Sequence, residues 1–263
     1  MNENIKIMTL NIGNPSEKRV KNQIRWIESR EEDVFILTET KNSVGCNYLE
    51  MYFSSYINDL FHLSLNSNYY ISFPKSSTND LGVMCLSKFP IENAHSFFSQ
   101  QSRFYSRLLH TEIQIASHKL NVTGVYVPSR DISIEKIERK KGFLDELTKF
   151  VSESHGIPAI ICGDFNILDR NHIPKYKNFM NWEYEFYDKL IDHGYIDAYR
   201  FCHPNKHEYS WVGRTNDGYR YDYCFISREI TDMIVDCYFV HDTRELGLTD
   251  HSAVVLELNI NKC

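Results

Sequence analysis

Short apolar runs of strand length dominate this 263-residue chain and are the feature that most constrains its fold. Many are rich in Val, Ile and aromatic residues, which fit a pleated and half-buried surface. The runs span residues 5–12, 34–37, 81–86, 108–115, 120–127, 157–162, 221–226, 234–240 and 253–258. Nine such runs in one chain predict a core made of β-sheet.

Three other segments carry apolar residues at helical spacing, and these predict helices. Their stripes are Val20, Ile24 and Ile27; Ile134, Ile137, Leu144, Leu147 and Val151; and Trp182, Phe186 and Leu190. No linker rich in Pro, Gly or Ser divides the sequence. We therefore expect residues 1–263 to form a single α/β catalytic domain, with strands in a layered core and helices on the outside.

Net charge and cysteine spacing argue against two classes of protein, those that coat nucleic acid and those that bind zinc. A net charge of -6 argues against coating nucleic acid through bulk electrostatics, although a local basic patch can coexist with an acidic total. The seven cysteines form no Cys-x-x-Cys pair, which predicts reduced thiols and no zinc site. No leader and no membrane-spanning stretch is recognised, so we expect a cytoplasmic monomer that does not bind membranes.

Polar residues that can bind a metal or move protons follow or open six of the apolar runs. They are Asn11, Glu39, Tyr126, Asp164 with Asn166, Asp222, and Asp250 with His251. Each also has a purely structural interpretation, because Gly-Asp-Phe-Asn is a good turn sequence and Asp-His can cap a loop. Their occurrence together, each at the end of a strand, favours a functional site.

In order and spacing, four of these segments resemble the motifs of the endonuclease/exonuclease/phosphatase superfamily. Thr-Leu-Asn-Ile at 9–12 resembles the motif that supplies an Asn, and Leu-Thr-Glu-Thr-Lys at 37–41 resembles the motif whose Glu binds the metal. Cys-Gly-Asp-Phe-Asn-Ile at 162–167 and Thr-Asp-His at 249–251 resemble the Gly-Asp-x-Asn and Ser-Asp-His motifs. The resemblance implies a four-layer α/β/β/α sandwich with two packed, mostly antiparallel β-sheets.

Further segments resemble the exonuclease III and abasic-site endonuclease branch of that superfamily. They include a helix with a following Gly-x-x-Asp-x-x-Arg at 186–200, Ser-Trp at 210–211 and Arg-Tyr-Asp-Tyr at 220–223. The resemblance implies a Mg²⁺ ion, replaceable by Mn²⁺. Glu39 is the expected main ligand, assisted by Asn11 and Asp250 directly or through water, because hard cations take carboxylate and amide oxygens.

The remaining motif residues have the types that phosphodiester hydrolysis requires. Asp164 is expected to orient and deprotonate the attacking water, with Asn166 on the same face of an extended segment fixing Asp164 or a phosphoryl oxygen. His251, made cationic by Asp222, is expected to donate to a nonbridging oxygen. Tyr126 is expected to bind phosphate or assist the leaving group.

Three residues are predicted to contact the substrate, namely Trp211, Arg220 and Ser129. Trp211 is a candidate stacking surface for deoxyribose or a base, with a core position as the alternative. For Arg220 the alternative is a structural ion pair. Ser129 replaces an Asn of the branch, and Gly13 replaces an Asn or Asp, so we expect abasic incision to be weaker than in a dedicated repair enzyme.

Six basic residues are expected to approach the DNA backbone, namely Arg103, Arg107, Arg130, Arg139, Lys140 and Lys141. For the first three, the default interpretation is ordinary surface charge.

The function that follows is metal-dependent hydrolysis of DNA phosphodiester bonds, as an exonuclease III-like abasic endonuclease or 3′ exonuclease. The alternative is a phosphatase or phosphodiesterase for a nucleotide, an inositol phosphate or a lipid headgroup. Residues 69–73 are a weak candidate for the apolar hairpin that lipid hydrolysis calls for. A binding module on a degenerate scaffold is disfavoured, because the whole set of carboxylates, amide and His is present.

Overall fold

The computed structural model of the protein describes residues 4–54, 69–153 and 159–262. This part of the chain contains fourteen β-strands and six α-helices. The strands are β1 (Asn4–Asn11), β2 (Val34–Thr40), β3 (Tyr70–Ser72), β4 (Gly82–Ser87), β5 (Ile91–Ser96), β6 (Leu108–Ile115), β7 (His118–Tyr126), β8 (Ala159–Asp164), β9 (Tyr195–Asp197), β10 (Trp211–Val212), β11 (Gly218–Tyr219), β12 (Asp222–Ser227), β13 (Ile234–Val240) and β14 (Ala253–Asn259). The helices are α1 (Glu17–Glu28), α2 (Val44–Phe53), α3 (Ile134–Glu153), α4 (Asn181–Asp192), α5 (Ala198–Cys202) and α6 (Asp242–Glu245).

Twelve of the strands form two six-stranded sheets. The order in the first sheet is β13-β14-β1-β2-β4-β3, and in the second it is β5-β6-β7-β8-β12-β9. Each sheet contains one parallel pair, β1 with β2 and β7 with β8, while the other neighbours are antiparallel. The mostly antiparallel character expected from the resemblance is confirmed.

The two sheets pack face to face, and helices cover their outer faces. Ile7 and Val34 of the first sheet share one apolar cluster with Val122 and Ile160 of the second. On the outer face of the first sheet, apolar residues of α1 and α2 are buried against the strands. Apolar residues of α3 and α4 do the same on the second sheet. The predicted four-layer α/β/β/α sandwich is therefore confirmed.

The predicted helical stripes lie in α1, α3 and α4, but helix α2 and several short strands were not predicted. The buried residues Cys46, Leu49 and Phe53 of α2 stand at helical spacing, but the exposed apolar residues Val44 and Met51 on the same helix obscure that stripe in the sequence. Strand β5 pairs only with β6 at the edge of its sheet, and its four central residues are exposed, so its sequence is polar. The predicted run at 157–162 begins outside the described residues, and the described strand continues to Asp164.

Two smaller expectations concern residues 69–73 and the cysteines. The candidate lipid-contacting segment at 69–73 contains β3, which pairs antiparallel with β4 at the edge of the first sheet, and its contact with lipid stays a prediction. All six cysteines of the described residues are free thiols, in agreement with the prediction. None of the helices in the described part of the chain has the length and apolar character needed to cross a membrane.

Candidate active site

The polar residues at the strand ends converge on one cleft. Asn11 ends β1 and Tyr126 ends β7, while Asp164 ends β8. In the second sheet Asp164 is the register partner of Tyr126 on one side and of Asp222 on the other. The cleft has a volume of about 450 Å³, and its lining includes Asp164. Other predicted residues in the lining are Glu39, Asn166, Trp211, Ser129, Asp250 and His251.

Two residues with left-handed backbone shape the chain around Asp164. Gly163 has a φ of 148°, and a Cβ there would lie 1.9 Å from the carbonyl oxygen of Val125, so only glycine fits. Asn166 has a φ of 48°, so the expected extended segment through 166 is wrong. Instead the Asn166 backbone N–H donates to Asp164 Oδ1 at 3.0 Å, and its side-chain Nδ2 donates to the carbonyl of Val127.

His251 and Asp222 form a buried pair. His251 Nδ1 lies 2.7 Å from Asp222 Oδ2, and both residues are buried. Burial alone would lower the pKa of His251, but Asp222, with smaller contributions from Asp164 and Asp250, raises this pKa to about 10. The imidazole is therefore a cation at neutral pH, with Nδ1–H directed at Asp222. Its Nε2–H lies 3.5 Å from Asn11 Nδ2, and because both groups are donors, no hydrogen bond joins them while the imidazole is a cation.

Asp164 is held on both oxygens. Asn11 Nδ2 donates to Oδ2 at 2.9 Å, and the Asn166 N–H donates to Oδ1. Burial raises the pKa of Asp164, and the nearby carboxylates of Asp222 and Glu39 raise it further. The site thus concentrates acidic groups in a buried place, which favours the presence of a cation.

Glu39 is aimed into the cleft by an irregularity in β2. The register between β2 and β4 shifts between Thr38 and Thr40, and Glu39 has a φ of 55°. Such bulges redirect a side chain next to active sites. The Tyr126 O–H donates to Glu39 Oε1 at 3.0 Å, and burial, Glu39 and Asp164 raise the pKa of Tyr126 well above its usual range. Tyr126 is therefore a neutral donor that orients Glu39.

The acidic groups fit a divalent cation. The ligand atoms of Asp164, Asp222 and His251 lie within 4.8 Å of one another, and Asp222 Oδ1 is buried without a hydrogen-bond partner in the described structure. His251 is engaged with Asp222, whereas half-buried Glu39 and exposed Asp250 face the cleft. Carboxylate oxygens of this kind are the ligands that Mg²⁺ prefers.

Asn11 has a different set of contacts from those of a simple metal ligand. Its Oδ1 accepts from the Gly13 N–H at 2.9 Å, and its Nδ2 donates to Asp164. Gly13 has a φ of 62°, a conformation that glycine adopts without strain. The geometry therefore shows Asn11 orienting Asp164, while its role as a metal ligand stays a prediction.

Trp211 lies on the wall of the cleft. It is half-buried, its Nε1 donates to Asp250 Oδ2 at 3.0 Å, and its backbone makes a β-bridge to His251. The ring stacks on Tyr219 with centroids 6.0 Å apart. Trp211 is thus not a core residue, its indole N–H positions a predicted metal ligand, and its role as a stacking surface stays a prediction. Ser129 is exposed on the wall of the same cleft.

Arg220 does not reach the cleft, and the prediction that it binds substrate is wrong. The side chain is fully buried. Its guanidinium lies 2.8 Å from Asp169 and 2.7 Å from Asp197. Because a buried guanidinium needs carboxylates to compensate its lost hydration, the alternative of a structural ion pair is the correct one.

A charged cluster of Lys140, Glu183 and Arg130 in the lining of the cleft was not predicted. Lys140 Nζ donates to Glu183 Oε1 at 2.5 Å and to the carbonyl of Asn166 at 2.6 Å, and Arg130 pairs with Glu183 as well. Lys140 is buried, and burial lowers its pKa to about 8. The sequence contained a signal for this burial, because Lys140 falls within the apolar stripe of α3 between Ile137 and Leu144.

Arg107 is also not a surface cation. It is buried, it pairs with Asp80 at 2.8 Å, and its guanidinium lies 4.7 Å from the centre of the Tyr126 ring. These contacts support the tyrosine that holds Glu39. The expectation that Arg107 contacts DNA is therefore wrong, because its side chain is buried in an ion pair. Lys140 is also buried in an ion pair, but it lines the cleft, so its approach to DNA stays a prediction.

Comparison with known proteins agrees with this geometry. A profile of the endonuclease/exonuclease/phosphatase family matches residues 8–251. The chain belongs to this family. The resemblance of the motifs at Asn11, Glu39, Asp164 and His251 is thereby confirmed, and these family motifs are the ones that the fold brings together in one cleft.

Two curated relatives and one solved structure are similar to this chain. Recombination repair protein 1 of Drosophila melanogaster is 24% identical over 277 residues, covering 98% of this chain and 37% of its own length. An exodeoxyribonuclease of Bacillus subtilis is 27% identical over 154 residues, covering 53% of this chain and 60% of its own length. The chain thus spans less than two thirds of either relative. The structure of an AP endonuclease from Archaeoglobus fulgidus aligns with a TM-score of 0.79 at 22% identity, covering 97% of this chain and 100% of that one.

Proposed function

We propose that this protein is a divalent-metal-dependent phosphodiesterase that hydrolyses DNA, as an exonuclease III-like abasic endonuclease or 3′ exonuclease. The observation that carries the proposal is the convergence of Asp164, the Asp222–His251 pair and Glu39 in one cleft. An exodeoxyribonuclease and an AP endonuclease among the similar proteins support DNA as the substrate. Ser129 and Gly13 support abasic incision that is weaker than in a dedicated repair enzyme.

The protein's own groups supply most of what the reaction needs. Asp164, fixed on both oxygens, orients the attacking water and accepts its proton. His251 keeps its charge through Asp222 and directs Nε2–H to a nonbridging oxygen of the phosphate. Tyr126 contributes through Glu39, to which it donates, and its contact with the phosphate or the leaving group stays a prediction.

Glu39 and Asp250 would hold the metal ion, and Asn11 is the third predicted ligand. A bound Mg²⁺, or Mn²⁺ in its place, neutralises charge on the phosphoryl oxygens. Trp211 keeps Asp250 in position through its indole N–H, and its half-exposed ring faces the sugar or base of the nucleotide at the cleft. We propose that the protein is a cytoplasmic monomer, since the free thiols of the described residues suit a reducing compartment.

A substrate panel tests the proposal. Purified protein with Mg²⁺ is assayed on abasic, nicked and blunt duplexes, single strands, RNA and small phosphate esters, beside Asp164→Asn as the inactive control. We expect DNA cleavage that leaves a 3′ hydroxyl to exceed hydrolysis of inositol phosphates and sphingomyelin. Rapid turnover of a small ester or a lipid, with every form of DNA uncut, would replace this function by the phosphatase alternative.

A further inference from the structure

A second pocket lies on the other side of the predicted metal ligands. It has a volume of about 590 Å³, and its lining includes Arg19, Arg244 and Thr249. Glu39 and Asp250 line this pocket and the catalytic cleft alike. The two carboxylates therefore form the wall between the pockets, and a group bound in the second pocket would lie next to the reacting phosphate.

The two arginines of this pocket have unused donors. Arg244 Nη1 and Arg19 Nε are buried without a hydrogen-bond partner in the described structure. Within the described residues neither arginine has a carboxylate within ion-pair distance, and the side chain of Arg19 donates only to the backbone carbonyl of Gly13. The buried arginines 107 and 220 differ, since each is paired with aspartate. Unpaired guanidinium donors beside a cavity favour an anion with several oxygen acceptors.

The same chain segments carry the arginines and the catalytic residues. Arg19 lies in the first turn of α1, eight positions after Asn11, and Arg244 lies in α6, six positions before Asp250. The Thr249 hydroxyl donates to the carbonyl of Asn11 at 2.7 Å, which joins the two segments. The position of this pocket relative to the cleft is consequently set by the same chain segments that position the catalytic residues.

We propose that this pocket is a second phosphate-binding subsite, which takes the backbone phosphate next to the scissile phosphodiester. The inference rests on the proposed function. A phosphate presents the oxygens that a guanidinium binds in bidentate fashion. Because Glu39 and Asp250 line both pockets, a phosphate in each would be separated only by these two side chains. A free phosphate ion has the same chemistry, and the experiment below separates the two sources.

Arginine variants test the subsite through the salt dependence of DNA binding. Affinity is measured by fluorescence anisotropy in an Asp164→Asn background, so that turnover does not interfere. We expect Arg244→Ala to weaken binding about tenfold, as for the loss of one charge-assisted hydrogen bond. The slope of log affinity against log salt should fall by about one. Arg244→Lys should restore much of the slope, and Arg19→Ala is the second variant.

Arg228→Ala is the matched control. It removes the same charge at the opposite end of β12 from Asp222, on an exposed side chain. Its affinity and slope should equal those of the parent protein. Equal losses in Arg228→Ala and Arg244→Ala would show a general charge effect and overturn the subsite.

Neutral methylphosphonates identify the source of the phosphate. Two DNA substrates are prepared, each with a single methylphosphonate in place of the phosphate on one side of the scissile bond. We expect one of the two substrates to bind more weakly to the parent protein but not to Arg244→Ala. Inhibition of DNA cleavage by inorganic phosphate in the parent but not in Arg244→Ala, with no methylphosphonate effect, would assign the pocket to free phosphate and overturn the backbone assignment. If the otherwise unmodified protein cleaves no DNA, the proposed function fails, whereas cleavage with none of these effects overturns only the subsite.

Discussion

The carboxylate of Asp222 lies 2.7 Å from Nδ1 of His251, and no part of the Asp222 side chain is exposed. A carboxylate buried at this distance both stabilises the charged imidazole and fixes its orientation. A second His–Asp contact, between His203 and Asp236 at 3.1 Å, is partly exposed and lies outside the cleft lining. The His203–Asp236 pair can therefore serve as a control when the contribution of the His251–Asp222 pair to activity is tested.

Removing the negative charge of Asp222 should remove most of the turnover. In Asp222→Asn the imidazole is no longer held as a cation, so we expect kcat to fall by about 10²–10⁴-fold, the amount typical of an acid or base group. Asp236→Asn should leave kcat unchanged. Both variants are measured for kcat and for the midpoint of urea unfolding. An Asp222→Asn protein that is folded and retains its kcat would contradict the assignment of His251.

Activity should require a divalent cation, and Glu39 should set its affinity. Excess chelator is expected to stop turnover, and Glu39→Gln should raise the metal concentration for half-maximal rate because a neutral amide is a weaker ligand than a carboxylate. Calorimetric titration of Mg²⁺ into the protein without DNA gives the affinity independently. Glu92→Gln alters a partly exposed glutamate paired with Lys119 and serves as the control. An unchanged affinity in Glu39→Gln would remove Glu39 as the main ligand.

The sequence locates the proposed catalytic residues, which the fold brings together, better than it locates the charged groups that support them. Asn11, Glu39, Asp164 and Asp222 stand at strand ends, where a change from apolar to polar residues is visible along the chain. The fold then brings these ends together because β1 with β2 and β7 with β8 run parallel. A local pattern is enough to find such residues.

The supporting pairs depend on contacts between distant segments, which no local pattern reveals. Lys140 and Glu183 are 43 positions apart, and Arg220 meets Asp169 from 51 positions away. The same limit explains Asn166, whose left-handed backbone arises from Gly163, Asp164 and the carbonyl of Val127 together. Whether a charged residue is buried depends on an oppositely charged partner from a distant segment, and not on the residue type alone.

Tyr126→Phe should weaken the metal site while leaving the fold intact. The change removes the donor to Glu39 but keeps the ring that packs against Arg107. Loss of a hydrogen bond that orients a ligand typically costs about 10–100-fold in metal affinity or activity. We expect a loss of this size in Mg²⁺ affinity, measured by calorimetry. Tyr187→Phe, which removes the O–H donated to Asp197, is the matched control and should leave Mg²⁺ affinity unchanged.

Arg220→Met should act on stability and not on the substrate. Removing the guanidinium leaves the carboxylates of Asp169 and Asp197 buried without their partner, and breaking a buried pair in this way costs about 3–5 kcal/mol. The free energy of unfolding is measured in urea, and KM is measured on DNA below the unfolding transition. An unchanged free energy with a raised KM would return Arg220 to the substrate-binding residues.

His172 is held neutral in one tautomer by its two hydrogen bonds. Nε2 accepts from the backbone N–H of Arg220 at 3.1 Å, so Nδ1 carries the proton and donates to the carbonyl of Pro174 at 3.0 Å. Burial, with smaller contributions from Arg220 and Arg200, lowers the pKa of His172 below its ordinary value of 6.5. Protonation of Nε2 would remove the acceptor that holds the Arg220 backbone.

This arrangement predicts that the contribution of His172 to stability is lost on acidification. Because the pKa is lower in the folded chain than in the unfolded chain, the unfolded chain binds the proton first as pH falls. The contribution is complete above pH 6.5 and decreases as pH falls through the lowered pKa of the folded protein. The free energy of unfolding in urea is compared between the parent and His172→Gln at several values of pH from 7.5 downwards. We expect the difference between the two proteins to shrink as pH decreases, and a difference independent of pH would show that His172 does not titrate in this way.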